Sequence, residues 1–284
     1  MSPLILITND DGIDSPGLLA AVEAVHGLGE ILVVAPEKQQ SGAARSHPSC
    51  RGRIRERVIE IERGRIPAFS LEGSPAQAVQ WGILKLRPRR PDLVVSGINY
   101  GENVGSNITV SGTIGAAIEV ASYGIPTLAV SLETEPKHHF SHSKEVDFSA
   151  AAFFTRIFAE YLLSAGLPEG VDILKVDVPQ GATPETPWRL TRVSRQKYYH
   201  PTIREGNDPE EEIFGYRREI DFDTLEPDSD IYALSVDRVV SVSPLTIDLT
   251  VKVDLERFAD ILVGRRDHGL DLDSLRRDRG EGEE

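Results

Sequence analysis

The sequence predicts an α/β protein whose central sheet is doubly wound and mostly parallel. Short apolar runs of strand length, such as LILIT at 4–8 and EILVVAP at 30–36, recur along the first 131 residues. Helical stretches separate these runs. Strands that are apolar on both faces and alternate with helices are typical of parallel sheets covered by helices on both sides. We therefore expect a Rossmann-like core, followed by a β-rich extension towards the C-terminus.

The first βα unit carries clear boundary signals. LILIT leads through a polar turn into SPGLLAAVEAVHGLG, with Ser15 at the N-cap, Pro16 at the first helical position and glycines at the far end. Proline is favoured at the start of a helix, and glycine is favoured just past its end. The second strand, EILVVAP, follows directly.

The later units repeat this alternation. A helix over 73–86 precedes a strand at 92–96, and a helix that begins near Ser111 precedes the strand TLAVSL at 127–132. The stretch 145–166 has the spacing of an amphipathic helix, and VDILKVDVP at 171–179 reads as another buried strand. We therefore expect the Rossmann-like core to span residues 1–182.

The composition changes after this core. Residues 183–250 are charged, proline-containing and β-leaning, which predicts a β-rich extension or a small β subdomain. We expect it to act as an oligomerisation arm, for reasons given below. DLERFADILVG predicts a last helix within 251–284, and the acidic tail RRDRGEGEE should be disordered.

Bulk properties exclude several functional classes. The chain has 284 residues, 40% of them hydrophobic, and a formal net charge of −14. This negative charge argues against a nucleic-acid polymer as partner, and no apolar window approaches the roughly 18 residues of a membrane span. A single cysteine, Cys50, and the lack of a secretory leader pattern predict a cytoplasmic protein without disulfides or membrane attachment.

Four polar segments fall at the ends of the expected strands. They are Asn9-Asp10-Asp11-Gly12, then EKQQSG with Ser41 and Gly42, then SGINYGENVG with Asn99 and Asn103, and then Ser111-Gly112-Thr113. Ligand sites in open α/β sheets lie beyond the carboxyl ends of the strands. Carboxylate, hydroxyl and amide oxygens suit Mg²⁺, Mn²⁺ or Ca²⁺ rather than zinc. A hard divalent ion between Asp10 and Asp11 would explain two adjacent carboxylates at a strand end.

Simpler interpretations exist for each motif alone. Asp-Asp-Gly is more often a turn than a metal site, and Ser-Gly pairs are more often turns or helix caps than phosphate loops. The glycines do not form a dinucleotide fingerprint, and no P-loop is present. His138 and His142 lie one helical turn apart, but their polar surroundings favour a solvated loop. Cys50 has no identified base partner and is read as inert.

The motifs together carry a resemblance. ILITNDDGIDSPGL, VVAPEKQQSGAARS, the segment from PDLVVSGINYGENVG to GIPTLAVSL, and VVSVSPLTIDLT closely resemble the SurE family, the survival protein E nucleotidases. The resemblance covers most of residues 1–131 and returns near 171–250. The segment 43–70 is more basic than the family pattern. The resemblance implies a metal-dependent phosphatase that hydrolyses nucleoside 5′- and 3′-monophosphates and possibly short polyphosphate.

The resemblance also assigns residues. It places one divalent metal ion on Asp10, Asp11, Ser41 and Asn99, with Asp10 and Asp11 as the catalytic pair. The phosphate-side residues that it implies are Asn9, Gly42, Asn103, Ser111, Gly112 and Thr113.

The expected chemistry is direct attack by metal-activated water, with Asp10 nearest the water. A covalent aspartyl-phosphate route would require a second Asp two residues after the first, where this chain has Gly12. A receiver-type domain would require a phosphoacceptor Asp after a later strand, where this chain has Ser96 and Asn99. A non-catalytic metal- or nucleotide-binding regulatory protein stays open as the alternative.

The extension also predicts assembly. It contains apolar and aromatic residues in a polar ribbon, and such residues are commonly buried by a partner. The residues are Trp188, Tyr198, Tyr199, Ile213, Phe214 and Tyr216. The SurE-like resemblance implies paired protomers that exchange a β-arm, so a homodimer or homotetramer is expected. The alternative is that IFGYRREI folds back on its own sheet.

Overall fold

A computed structural model describes residues 2–49, 52–86, 88–205 and 212–264. Cys50 and the acidic tail lie outside the described residues. The described chain divides into a unit within Met1–Ile247 and a second unit within Asp248–Glu284. No helix among the described residues has the combination of length and apolar content that crossing a bilayer requires.

The elements alternate as the sequence predicts. The strands are β1 (Leu4–Thr8), β2 (Glu30–Pro36), β3 (Ile54–Ile61), β4 (Gly64–Leu71), β5 (Leu93–Tyr100), β6 (Thr127–Leu132), β7 (Ile173–Val178), β8 (Trp188–Leu190), β9 (Tyr199–Glu205), β10 (Glu212–Arg218) and β11 (Val240–Leu245). The helices are α1 (Pro16–Val25), α2 (Pro75–Lys85), α3 (Gly112–Ala121), α4 (Ser149–Ala165), the short α5 (Asp230–Tyr232) and α6 (Leu255–Gly264).

Nine strands form one sheet in the order β3-β4-β2-β1-β5-β6-β7-β11-β8. The six strands from β4 to β7 in this order are mutually parallel. The strand β3 runs antiparallel to β4, and β11 runs antiparallel to β7. The prediction of a doubly wound, mostly parallel α/β sheet is confirmed.

Two apolar layers cover the central strands. One contains Ile5 and Ile7 of β1 with α1 and α4, and the other contains Leu6 of β1 with α2 and α3. Alternate residues of β1 therefore contact opposite layers, as the pleat of a strand requires. This burial on both faces explains why β1 reads as a continuous apolar run.

The region 183–250 supplies two kinds of structure. The strands β8 and β11 extend the nine-stranded sheet, with Val240 opposite Trp188 and Ser243 opposite Lys175. The strands β9 and β10 form a separate two-stranded antiparallel hairpin. The hairpin β3–β4 was not predicted, since β3 is an almost wholly exposed edge strand.

In the second unit, the predicted last helix is present as α6. The carboxylate of Asp254 accepts hydrogen bonds from the backbone amides of Glu256 and Arg257, both at 3.1 Å. These bonds satisfy donors that the first turn of a helix leaves free.

Candidate active site

The strand order reverses between β1 and β5, which are neighbours although β2, β3 and β4 lie between them in sequence. The turn Asn9–Gly12 follows β1, and Asn99 is the second-last residue of β5. A cavity of about 440 Å³ opens at this edge of the sheet. It is lined by Asp10, Ser41, Gly42, Asn99, Tyr100, Gly101, Glu102, Asn103, Asn107, Val110, Ser111, His139, Phe140, Lys197, Tyr199, Pro201, Gly215 and Tyr216. Crevices at such reversals are where α/β proteins bind ligands.

Asp10 lies against the first turn of α3. The hydroxyl of Thr113 donates a hydrogen bond to Asp10 Oδ1. A Cβ atom at position 112 would lie 2.7 Å from both Cβ and Oδ2 of Asp10. Glycine at 112 therefore allows the helix N-terminus to approach this carboxylate closely.

Asp11 is held from two sides. The backbone amide of Tyr100 donates to Asp11 Oδ2 at 3.1 Å, and Gln39 Nε2 donates to Asp11 Oδ1 at 3.0 Å. Gln39 Nε2 also lies 2.9 Å from the Ser41 hydroxyl oxygen. The strand β5 and the loop after β2 thus fix Asp11 together.

The two carboxylates share a water-poor environment. Both are at most 3% exposed. Burial raises the pKa of Asp10, although the Thr113 hydrogen bond opposes this shift. Burial also raises the pKa of Asp11 well above its ordinary value, and repulsion by Asp10 adds to the effect. A cation between the two carboxylates would offset the cost of burying their charges and the repulsion between them.

The neighbouring oxygens match a hard cation. Nδ2 of Asn99 donates hydrogen bonds to the carbonyl oxygens of Tyr100 and Gly101, at 3.2 and 2.6 Å. These two bonds occupy the nitrogen of the amide and leave its oxygen available to a cation. Ser41 places its hydroxyl at the cavity wall. Among the described residues, no cluster of three or more His, Cys, Asp or Glu could hold a metal. Any ion here would therefore need hydroxyl or amide oxygens besides the two carboxylates.

The phosphate-side residues of the sequence prediction occupy different positions. Gly42, Asn103 and Ser111 line the cavity, whereas Asn9, Gly112 and Thr113 do not. Asn9 is fully buried, and both ends of its amide bond the backbone of Gly12 at 3.1 Å. Ser111 caps α3 by accepting a hydrogen bond from the amide of Ile114 at 3.1 Å.

The loop HHFSH is partly solvated, as expected, with His142 exposed and His138 half-buried, but it also borders the site. His139 is only 8% exposed and lines the cavity. His142 Nε2 lies 2.9 Å from the backbone oxygen of Asp11. The histidines do not form a metal cluster within the described chain. The polar sequence around His142 does not predict its contact with Asp11, which lies 131 positions earlier in the chain.

Aromatic rings form the far wall of the cavity. The His139 and Tyr216 rings stack with centroids 5.9 Å apart, and His139 Nδ1 lies 2.7 Å from the Tyr216 hydroxyl. Tyr199 meets Tyr216 edge to face at 5.1 Å. Burial lowers the pKa of His139 to about 4, so this ring is neutral at pH 7. Sequence reasoning placed Tyr199 and Tyr216 in an assembly arm and did not assign them to this wall.

A buried ion pair joins the hairpin to the site. Arg218 Nη2 of β10 lies 2.9 Å from Glu102 Oε1, and Glu102 is 2% exposed. Burial raises the pKa of Glu102 to about 7, although the Arg218 charge opposes this shift. The ion pair therefore connects the hairpin with the loop that follows Asn99.

The fold and the site define a doubly wound α/β protein with an oxygen-rich pocket at the reversal of strand order. The family model described as "Survival protein SurE" matches residues 5–200. The chain belongs to the SurE family.

Curated relatives match nearly end to end. A protein of Thermococcus gammatolerans is 45% identical over 92% of this chain and 96% of its own length, and one of Archaeoglobus fulgidus is 40% identical over 89% and 94%. Both are named 5′-nucleotidase SurE. The crystal structure of SurE from Aquifex aeolicus superposes with a TM-score of 0.71 at 30% identity, covering 92% of this chain and all of that one.

Proposed function

We propose that this protein is a metal-dependent phosphatase that hydrolyses nucleoside 5′-monophosphates, with 3′-monophosphates and short polyphosphate as further substrates. The observation that carries the proposal is the pair Asp10 and Asp11, buried side by side with raised pKa values at the reversal of strand order. The printed names of the relatives support 5′-nucleotidase activity.

The residues that would hold the metal are Asp10, Asp11, Ser41 and Asn99. Their carboxylate, hydroxyl and amide oxygens favour one Mg²⁺ or Mn²⁺ ion, with Ca²⁺ also able to bind. When bound, such an ion polarises a phosphoryl oxygen and lowers the pKa of its water, which supplies a nucleophile at neutral pH.

The cavity suits a nucleotide that lies from Asp10 towards the aromatic wall. Ser111 and Gly42 stand near the phosphate end, where the first turn of α3 offers backbone amides and a favourable dipole. Tyr199 and Tyr216 stand at the other end, where aromatic faces can stack on a base. Asn9, Gly112 and Thr113 support the phosphate end through the main chain and through Asp10.

The chain's own residues orient the reaction. Thr113 fixes Asp10 Oδ1 through its hydroxyl, and Asp10 lies on the cavity wall, where its carboxylate can orient the attacking water. Gln39 and the Tyr100 amide donate hydrogen bonds to Asp11, which favour its ionised form against the opposing effect of burial. The amides of the α3 N-terminus can stabilise negative charge as it develops on the phosphoryl oxygens.

Assembly and location are part of the same proposal. The hairpin β9–β10 exposes apolar side chains, of which Phe214 is 74% and Ile203 is 58% exposed. These residues support a homodimer or homotetramer built through the hairpin. The division into a core over 1–182 and an oligomerisation arm over 183–250, and a cytoplasmic location, stay predictions from the sequence.

The decisive experiment measures phosphate release from AMP and from p-nitrophenyl phosphate. We expect turnover with Mn²⁺ or Mg²⁺ and none after EDTA treatment, with activity restored when metal is added back. Turnover that persists in EDTA would contradict the metal-dependent mechanism. Metal binding without any phosphate release from AMP, GMP or p-nitrophenyl phosphate would contradict the phosphatase activity.

A further inference from the structure

Three charged side chains form a buried cluster behind the cavity. Lys175 and Asp177 of β7 and Asp230 of α5 are all 0% exposed. Lys175 Nζ bonds Asp177 Oδ2, and it lies 3.1 Å from Asp230 Oδ2. None of the three lines the cavity, so the proposed chemistry does not use them directly.

The cluster bonds the backbone of the loop that follows β5. Asp177 Oδ1 accepts a hydrogen bond from the Asn103 amide at 2.8 Å, and Lys175 Nζ donates to the Asn103 carbonyl oxygen at 2.9 Å. Asn103 Nδ2 donates to the Ser131 hydroxyl of β6 at 2.9 Å. Asn103 is thus fixed to β6 and β7 through its amide, its carbonyl and its side chain.

Asp230 extends the cluster to two further segments. Its Oδ2 accepts from the Gly105 amide at 3.1 Å, and its Oδ1 accepts from the Ser194 amide at 2.9 Å. Gly105 follows Asn103 in the loop at the site. Ser194 belongs to the segment that leads to β9 and therefore to the aromatic wall.

We infer that Lys175, Asp177 and Asp230 are positioning residues that hold Asn103 and Gly105 at the phosphate side of the cavity. This inference rests on the proposed function for the meaning of Asn103. Burying three charges is costly, and hydrophobic replacements of buried ion pairs are often no less stable. Here the charges satisfy four loop amides and carbonyls that hydrophobic residues would leave unbonded.

The primary test compares Asp177→Asn with Asp177→Ala. Both substitutions remove the charge, but only asparagine retains an oxygen acceptor for the Asn103 amide. We expect Asp177→Ala to raise the KM for p-nitrophenyl phosphate about tenfold relative to Asp177→Asn, in line with the loss of an outer hydrogen-bonding partner. In the absence of metal, Asp177→Ala should also exchange amide hydrogens faster than Asp177→Asn in the peptide that contains Asn103.

Ser243→Ala is the matched control. Ser243 lies on β11 opposite Lys175 and is buried. Its hydroxyl lies 2.8 Å from that of Thr191, so its hydrogen bond is made away from the loop that contains Asn103. We expect Ser243→Ala to lower the thermal midpoint without changing KM or the exchange of the Asn103 peptide. Equal KM and equal exchange in folded Asp177→Ala, Asp177→Asn and Ser243→Ala would overturn the inference.

A second variant covers the case in which Asp177→Ala does not fold. Lys175→Met combined with Asp177→Asn keeps the formal charge of the cluster at −1, because one positive and one negative charge leave together. Asp230 keeps its backbone donors, and only the Lys175 bonds are lost. We expect faster exchange around Asn103 and a raised KM, and wild-type values for both would overturn the inference. Absence of phosphatase activity in the wild type would instead refute the proposed function, while the exchange comparison would still test the positioning role.

Discussion

Asp10 and Asp11 are adjacent in sequence but have different surroundings. Asp10 faces the cavity and meets Thr113, whereas Asp11 is enclosed by Gln39 and the Tyr100 amide. Burial raises the pKa of both groups, so each pays a desolvation penalty that a cation would offset. Substituting Asp10 and Asp11 one at a time therefore tests the contribution of each carboxylate to the site.

We expect Asp10→Asn and Asp11→Asn each to lower kcat/KM by roughly a hundredfold or more, since losses of this size follow removal of one electrostatic group at a catalytic site. The asparagine side chains keep the shape and lose the charge. The assay is p-nitrophenyl phosphate hydrolysis with saturating Mn²⁺, and circular dichroism checks the fold. Asp14→Asn, an exposed residue after the same strand, is the control. Near wild-type rates in either site variant would remove that residue from the catalytic pair.

The Glu102 carboxyl gives a pH prediction. Burial raises its pKa from 4.5 to about 7, so the folded protein binds an extra proton between these pH values. This contribution to stability is present below pH 4.5 and is lost as the pH rises through 7. Glu102→Gln has no such loss. Its stability relative to wild type should therefore rise from pH 4.5 to pH 8, by up to roughly 3 kcal/mol.

Denaturant unfolding of both proteins at several pH values measures this difference. Glu145→Gln, which changes an exposed glutamate, serves as the control and should show a constant difference from wild type. A difference between Glu102→Gln and wild type that stays constant across the range would show that the Glu102 pKa is not raised.

At the scale of elements, the start of α3 packs closely against Asp10. Ser111 caps the helix, Gly112 allows the approach of Asp10, and Thr113 bonds that carboxylate. Three consecutive residues thus support one carboxylate and one helix terminus. The position of Asp10 should be sensitive to any atom added at Gly112.

We expect Gly112→Ala to lower kcat/KM at least about tenfold, because a Cβ atom 2.7 Å from Asp10 Oδ2 must displace that carboxylate, and small misplacements at catalytic sites have large effects. Helix propensity favours alanine over glycine, so the loss would come from the displaced carboxylate rather than from a weaker helix. Ala121→Gly, at the far end of the same helix, is the control that weakens the helix without touching the site. Full activity in Gly112→Ala would contradict the described contact.

Elements with strong local signals were predicted well. The strand β1 matches its predicted bounds, since an apolar run buried on both faces needs no information from the rest of the chain. The hairpin β3–β4 was missed because the residues of β3 are mostly exposed and charged, so neither periodicity nor an apolar run marks this strand. The place of β11 in the main sheet was also missed, because its buried Ser241 and Ser243 are satisfied only by hydrogen bonds with Thr191.

The candidate site also divides into residues with a local sequence signal and contacts between residues far apart in the chain. The rule for strand ends could bring together Asp10 and Asp11 after β1, Ser41 after β2 and Asn99 at the end of β5. Their assignment as metal ligands came from the family resemblance and stays a prediction. The contacts of His139 with Tyr216 and of Glu102 with Arg218 join residues 77 and 116 positions apart. No local pattern encodes such pairs, and only the folded chain reveals that the hairpin reaches the cavity.

At the scale of the whole molecule, one face of the hairpin β9–β10 changes along its length, since Tyr199 and Ile203 share that face with Phe214 and Tyr216. Tyr199 and Tyr216 contribute to the cavity wall, whereas Ile203 and Phe214, which are opposite each other in the ladder, are exposed. The strand β10 does not join the nine-stranded sheet, as the alternative for IFGYRREI expected, but Tyr216 and Arg218 contact residues of the same chain at the site. The exposed pair leaves a surface for a second copy.

We expect Ile203→Ser combined with Phe214→Ser to lower the molecular mass in solution from dimer or tetramer towards monomer, because the exposed apolar pair would no longer be buried by a partner. Light scattering gives the mass. Phe222→Ser removes a similarly exposed aromatic residue outside the hairpin and should leave the mass unchanged. Wild-type mass in the double variant would place the interface elsewhere.

The central position of β1 also bears on how the chain is made. The strand β1 pairs with β2 on one side, but its other side pairs with β5, which is synthesised later and ends at Tyr100. At typical rates of synthesis this delay is on the order of ten seconds, during which one edge of β1 is open to other chains. Nascent chains arrested before Tyr100 should therefore associate with holdase chaperones, and release from them should coincide with the emergence of β5.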